Sequence, residues 1–239
     1  MQFNRHTPMT TPQDASFQEA LLLCLTRVFV RMFAALMVTA VTAVWVVYSP
    51  ALQRAIFGGG FLMFGLLIGQ IVLVMAVSAG INRLSAGSAN ALFFLYAALN
   101  GLTLSVIFFA YDLGTVYLAF GVTALTFGVM ALFGILTKRD LTKIGSLLLM
   151  GLFGIIIASV VNIFLRSPAM DYLICYAGVL IFTGLTAYDA QRIKNMLGHA
   201  VGDGNQNAVA KISVIGALTL YLDFINLFLK ILRLLGRRR

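Results

Sequence analysis

Charge is what this 239-residue chain has least of. Only 10% of its residues are charged, 8 acidic against 17 basic, and Glu19 is its sole glutamate. A soluble domain carries about 25% charged residues, so a soluble globular fold is excluded. The 2 cysteines, Cys24 and Cys175, support neither a disulfide framework nor a metal cluster. His6 and His199 lack ligand spacing, so no cofactor or resident metal is expected. The 4 prolines (Pro8, Pro12, Pro50, Pro168) leave long stretches free of helix breakers. The first 20 residues are polar, so the first membrane helix is expected to act as its own targeting signal.

What the chain has is apolar material: 61% hydrophobic residues and a mean hydropathy of +0.97. This composition defines a polytopic integral membrane protein, partnered first of all by the lipid bilayer. At about 20 residues per span, it suffices for six or seven helices in one domain. The net charge of +9 belongs to loops and lipid headgroups rather than to nucleic acid. Residues 1–20 read as a disordered tail, with Asp14 or Ser16 placed to cap a helix entering the membrane. Residues 21–236 read as the membrane domain and 237–239 as a basic tail.

The expected spans are 32–48, ended by Pro50; 57–79, with Gln70 as its strongly polar side chain; 90–110, with Tyr96 and Asn100; 116–136; and 145–165. A sixth begins near Tyr172, its helix running to about Leu197, and a last apolar segment covers 208–235. Basic residues set the orientation. With the N-terminus inside, Arg5, Arg27, Arg31, Arg83, Lys138, Arg139, Lys143, Arg192, Lys194 and Lys211 fall on the cytoplasmic side. Only Arg54 and Arg166 fall in outer loops. Lys230, Arg233 and the terminal arginines break the pattern if the last helix crosses fully. That helix either crosses regardless or is re-entrant.

Two carboxylates stand out inside apolar segments. Asp223 is central in the last one, with Asn226 a turn later, and Asp189 lies in the sixth. A charge at the centre of a membrane helix costs about 3 kcal/mol on insertion scales, so each must face the bundle interior or a wet cavity. At 1.5 Å per residue, Asp189 lies about 12 Å and Asp223 about 16 Å from their cytoplasmic helix ends, depths that let them meet. Two touching carboxylates do not both ionise cheaply. The pair therefore reads as a proton-sensitive switch and gate, and when ionised as a ligand set for a cation such as Ca²⁺. Arg83, near the cytoplasmic end of the second span, could pair with one of them, but by itself it reads most simply as a positive-inside residue. Tyr188, Tyr221, Gln70, Asn100 and Asn226 are the polar candidates for a pore lining, although Asn100 and Asn226 each read more simply as packing polar groups. The structural alternative is that each Asp hydrogen-bonds to a neighbouring helix as glue.

The stretches Phe182-Thr-Gly-Leu-Thr-Ala-Tyr-Asp-Ala-Gln-Arg-Ile-Lys194 and Ala217-Leu-Thr-Leu-Tyr-Leu-Asp-Phe-Ile-Asn-Leu-Phe-Leu-Lys-Ile-Leu-Arg-Leu-Leu-Gly236 carry a resemblance. So do Asn100-Gly-Leu-Thr-Leu-Ser105 and Thr137-Lys-Arg-Asp-Leu141. Over residues 20–236 the chain resembles the Bax inhibitor-1 family, the transmembrane Bax inhibitor motif proteins, and most closely its small bacterial, inner-membrane members. The resemblance implies an all-α fold of seven transmembrane helices with the last enclosed by the other six. It also implies a pH-sensitive Ca²⁺ leak gated by a di-aspartyl pair, here Asp189 and Asp223, with Arg83 at the latch position. Some members carry an acidic residue in the second span, where this chain has Gln70. The competing reading is a non-conducting regulator of a partner such as a membrane-bound protease; a monomer suits either. An intramembrane aspartyl protease fits poorly, because Asp223 follows Leu220-Tyr-Leu222 and not a Gly-x-Gly pattern. No enzymatic activity is therefore expected.

Overall fold

Two Ser-Pro pairs set helix starts that hydropathy does not reveal. In the computed structural model, which describes residues 12–236, Ser49 and Ser167 each accept a backbone N–H three residues on, from Leu52 and Met170. Pro50 and Pro168 take the first helical position, where a missing N–H costs nothing. Asp112 and Asn205 cap two further helices in the same way, through Thr115 N and Ala208 N.

The elements in chain order are α1 (Pro12–Tyr48), α2 (Pro50–Phe57), α3 (Phe61–Gly80), α4 (Ala86–Leu104), α5 (Ile107–Ala110), α6 (Leu113–Leu136), α7 (Thr142–Leu165), α8 (Pro168–Gly202) and α9 (Gln206–Leu235). There is no strand among the described residues. Seven segments there are long and apolar enough to cross a membrane: α1, α3, α4 continued by α5, α6, α7, α8 and α9. The chain is an all-α membrane protein. Residues 12–20, expected as tail, already belong to α1, while residues 1–11 and 237–239 lie outside the described residues. The third span is broken at Ser105, and the short helix α2 was not foreseen.

The most buried of the membrane-length helices is α9: 67% of its apolar stretch is buried, against 11% for α3 and 6% for α7. It packs chiefly on α1, α4, α6 and α8, whereas α3 rests on α4 and α7 on α8. Four of the six expected neighbours therefore form its main surroundings. Large apolar side chains such as Phe61 and Phe164 face outward, as a hydrocarbon solvent permits. Glycine lets helices touch where side chains would not. A Cβ on Gly101 would run into the Thr39 carbonyl of α1, and one on Gly134 into the Ala187 carbonyl of α8.

Cross-links at each end fix the direction of α9. Near its start, Lys211 Nζ donates to the Asn82 carbonyl in the α3–α4 turn (3.1 Å). Near its finish, Arg233 pairs with Asp171 at the start of α8 (2.5 Å). It is a continuous 30-residue helix. It runs from one end of the bundle to the other, and of the two sequence alternatives the re-entrant one is excluded.

Candidate functional site

Helices α8 and α9 lie antiparallel and bring Asp189 and Asp223 side by side, close enough to share a hydrogen bond when one carries a proton. Both are buried, at 8% and 5% exposure. No donor reaches Asp223 Oδ2, which is fully enclosed. The helices are longer than the sequence suggested, so the carboxylates sit roughly 20 and 26 Å from Gly202 and Gln206 at 1.5 Å per residue. The pair still meets because α8 and α9 lengthen at the same end of the bundle.

The pair stands at a cavity of about 500 Å³ between α7 and the α8–α9 pair. From α7 come Leu152, Ile155, Ile156, Val160 and the hydroxyl of Ser159; from α8, Phe182 and Leu185 beside Asp189. From α9, Thr219, Asp223, Asn226 and Lys230 all face it. Their spacing of four, three and four residues puts them on one helical face. In the sequence Lys230 stands out only as a charge that breaks the loop pattern. The signal that finds its role is this spacing from Asp223. Its side-chain stem crosses α8 at Gly178, where a Cβ would sit 3.0–3.1 Å from the stem carbons.

Of the polar candidates for a lining, Asn226 does face the cavity, its amide also donating to the Leu222 carbonyl (2.8 Å). The others are placed elsewhere. Tyr221, at 0% exposure, is on another face of α9. Asn100 Nδ2 donates to its hydroxyl (2.8 Å), which lies 2.7 Å from Thr39 Oγ1. Thr39 spends its own proton on the carbonyls of Ala97 and Ala35. Tyr221 must therefore donate to Thr39, and the chain Asn100→Tyr221→Thr39 ties α4, α9 and α1 together. Gln70 donates to Thr103 Oγ1 (3.1 Å) and the Leu99 carbonyl, joining α3 to α4. Tyr188 lays its ring over Gly145 at the start of α7.

Arg83 is exposed in the α3–α4 turn and makes no ion pair with either carboxylate. Lys211 marks that turn's level on α9, and Asp223 is a further 18 Å or so along the helix, beyond the reach of an arginine side chain. The latch expected from the sequence is thus unengaged in this structure. The cation nearest Asp189 in sequence is Arg192, one turn on and exposed.

Gln191 was passed over in the sequence. Its amide donates to the Arg139 carbonyl (2.8 Å) and its carbonyl accepts Leu141 N–H (2.9 Å). Lys194 adds a bond to the Ile135 carbonyl (2.7 Å). One α8 segment thereby clamps the whole α6–α7 loop and carries Asp189. Within that loop Asp140 accepts from the Thr142 hydroxyl and N–H, which holds its carboxyl below the usual range. Two carboxylates are a thin cation site. Among the described residues no group of three or more His, Cys, Asp or Glu gathers to hold a metal.

Seven membrane-length helices with a buried carboxylate pair between the last two define a polytopic α-helical membrane protein. The chain belongs to the Bax inhibitor family, since the family model described as "Inhibitor of apoptosis-promoting Bax1" matches residues 22–239. It is 47% identical over 208 residues to inner membrane protein YbhL of Escherichia coli, covering 87% of this chain and 88% of that one. An uncharacterized protein of Borreliella burgdorferi is 45% identical over 215 residues, 90% of this chain and 92% of the relative. One of Rickettsia prowazekii is 37% identical over 236 residues, 98% and 97% of the two chains.

Proposed function

We propose that this protein is a pH-sensitive cation leak of the bacterial inner membrane, passing Ca²⁺ under control of Asp189 and Asp223. The observation that supports it is the pair itself: two touching, buried carboxylates, one with an unpartnered oxygen, at a cavity whose other walls are mostly apolar. Carboxylates attract cations in channels, and a pair in contact is sensitive to protons because the second charge is the costly one. With Arg83 remote, the sign follows from the pair alone. Protonated carboxyls hold no cation, and ionised ones attract it, so flux rises with pH.

The YbhL relative's name supports an inner-membrane location. The basic loops at the Asn82 end of the bundle favour that end, and the N-terminus with it, on the cytoplasmic side. In this reading the protein is a conduit and not an enzyme, and Ca²⁺ is cargo.

The test is Ca²⁺ entry into dye-loaded liposomes containing the purified protein, from about pH 6 to 8. Flux should increase across that range, and Asp189→Asn and Asp223→Asn should each lower it and flatten its pH dependence. Absence of flux at every pH, or flux indifferent to both substitutions, refutes the leak. The function would then be sought in regulation of a membrane partner such as a protease.

A further inference from the structure

The cavity that holds the carboxylates contains one more charged side chain, and it has the opposite sign. Asp189, Asp223 and Lys230 are the charged groups of the lining, and α7 offers only apolar side chains and the Ser159 hydroxyl. Lys230 has no ion pair, whereas the next cation along α9, Arg233, is neutralised by Asp171. Gly178 gives its stem a bed on α8, and Lys230 is among the residues that line the cavity. Along α9 it is seven residues from Asp223, about 10 Å.

We propose that Lys230 is a valence filter: its ammonium holds multivalent cations back from the Asp189–Asp223 site more strongly than monovalent ones. The proposal rests on the reading of that pair as a cation site. The physics is Coulombic. An ammonium repels an approaching cation in proportion to that ion's charge, and a low-dielectric wall screens this poorly. The repulsion energy for Ca²⁺ is therefore twice that for K⁺, and the effect on rate or affinity is the square. At about 10 Å and an effective dielectric of about 40, removing the charge favours Ca²⁺ roughly sixteenfold and K⁺ roughly fourfold.

The filter is tested on the full chain in liposomes, with Ca²⁺ and K⁺ flux measured side by side for wild type, Lys230→Gln, Lys230→Met and Lys230→Arg. Both neutral variants should raise Ca²⁺ flux about sixteenfold and K⁺ flux about fourfold, a roughly fourfold gain in the Ca²⁺-to-K⁺ ratio. Arginine, which keeps the charge, should restore the wild-type ratio. An unchanged ratio in a folded neutral variant overturns the proposal, because loss of bulk alone would open the path equally to both ions. So does an arginine variant that behaves like glutamine. Terbium binding in detergent, read by luminescence, gives an answer without transport: Lys230→Gln should bind Tb³⁺ more than tenfold tighter, and equal binding overturns the filter. The two readings fail separately. If Asp189→Asn and Asp223→Asn conduct like wild type, the carboxylate gate is wrong. If they silence flux while Lys230→Gln leaves the ratio alone, only the filter is wrong.

Discussion

Tyr221→Phe removes one hydroxyl from the most buried part of the bundle and leaves everything else in place. The ring still meets Phe93 and Tyr96 edge-on, with centroids 5.7 Å away in each case. What is lost is the middle link of the chain from Asn100 to Thr39. Asn100 keeps an amide N–H with no acceptor, and the Thr39 oxygen loses its donor. An orphaned buried polar group costs about 1–3 kcal/mol in soluble proteins. Inter-helix hydrogen bonds in membranes average about 0.6 and reach about 1.7 kcal/mol, because unfolded spans also find partners. With two bonds broken at a fully buried site, the expected loss is about 1–1.5 kcal/mol. Thermal unfolding in detergent should show it as a drop of roughly 2–6 °C, at about 2–4 °C per kcal/mol. Combining it with Thr39→Val should cost less than the two singles added, since both break the same bond. The pH profile of flux should keep its midpoint. A variant as stable as wild type, or one whose flux profile changes as for Asp223→Asn, would refute the structural role and return Tyr221 and Asn100 to the pore.

Gln191→Ala should release the α6–α7 loop from α8, costing about 1–3 kcal/mol, chiefly for the buried Leu141 N–H left unpaired, with the part-buried Arg139 carbonyl also losing its donor. Amide exchange at residues 137–141 should quicken before that of α9. Arg83→Gln should leave the pH profile of flux where it is, because the side chain is exposed and unpaired; a displaced midpoint would reinstate the latch.

The hydropathy of the chain is enough to locate seven apolar segments, because each crossing needs about 20 apolar residues, but it leaves open whether the last one crosses. The carboxylate pair was legible for the same reason: Asp189 and Asp223 are conspicuous against their neighbours. Boundaries were less so. At Ser49-Pro50 and Ser167-Pro168 the prolines were read as breaks, although serine before proline is also a helix start. That concealed α2 and delayed α8 by a turn. The polar side chains were hardest. Tyr221, Asn226 and Asn100 look alike in one dimension, and only the rotation of α9 against its neighbours separates a bundle tie from a cavity lining. Lys230 was missed because charge counting by loops treats a lysine as a topological marker. The Arg83 latch was an inference from kinship, and the length of α9 puts it out of reach.

The position of α9 in the chain bears on how the protein is made. The most buried helix is synthesised after α1, α4, α6 and α8, the four helices it chiefly packs on. Until it leaves the ribosome those helices face one another across an unfilled groove, with Thr39 and Asn100 lacking the hydroxyl that joins them. Helix α1 touches α4 and α6 touches α8 directly, at Gly101 and Gly134, so these pairs can form first and wait for the helix that packs on both. Completion of this fold therefore follows synthesis of its last helix, and a lesion in α9 would leave paired helices unjoined rather than one helix misfolded.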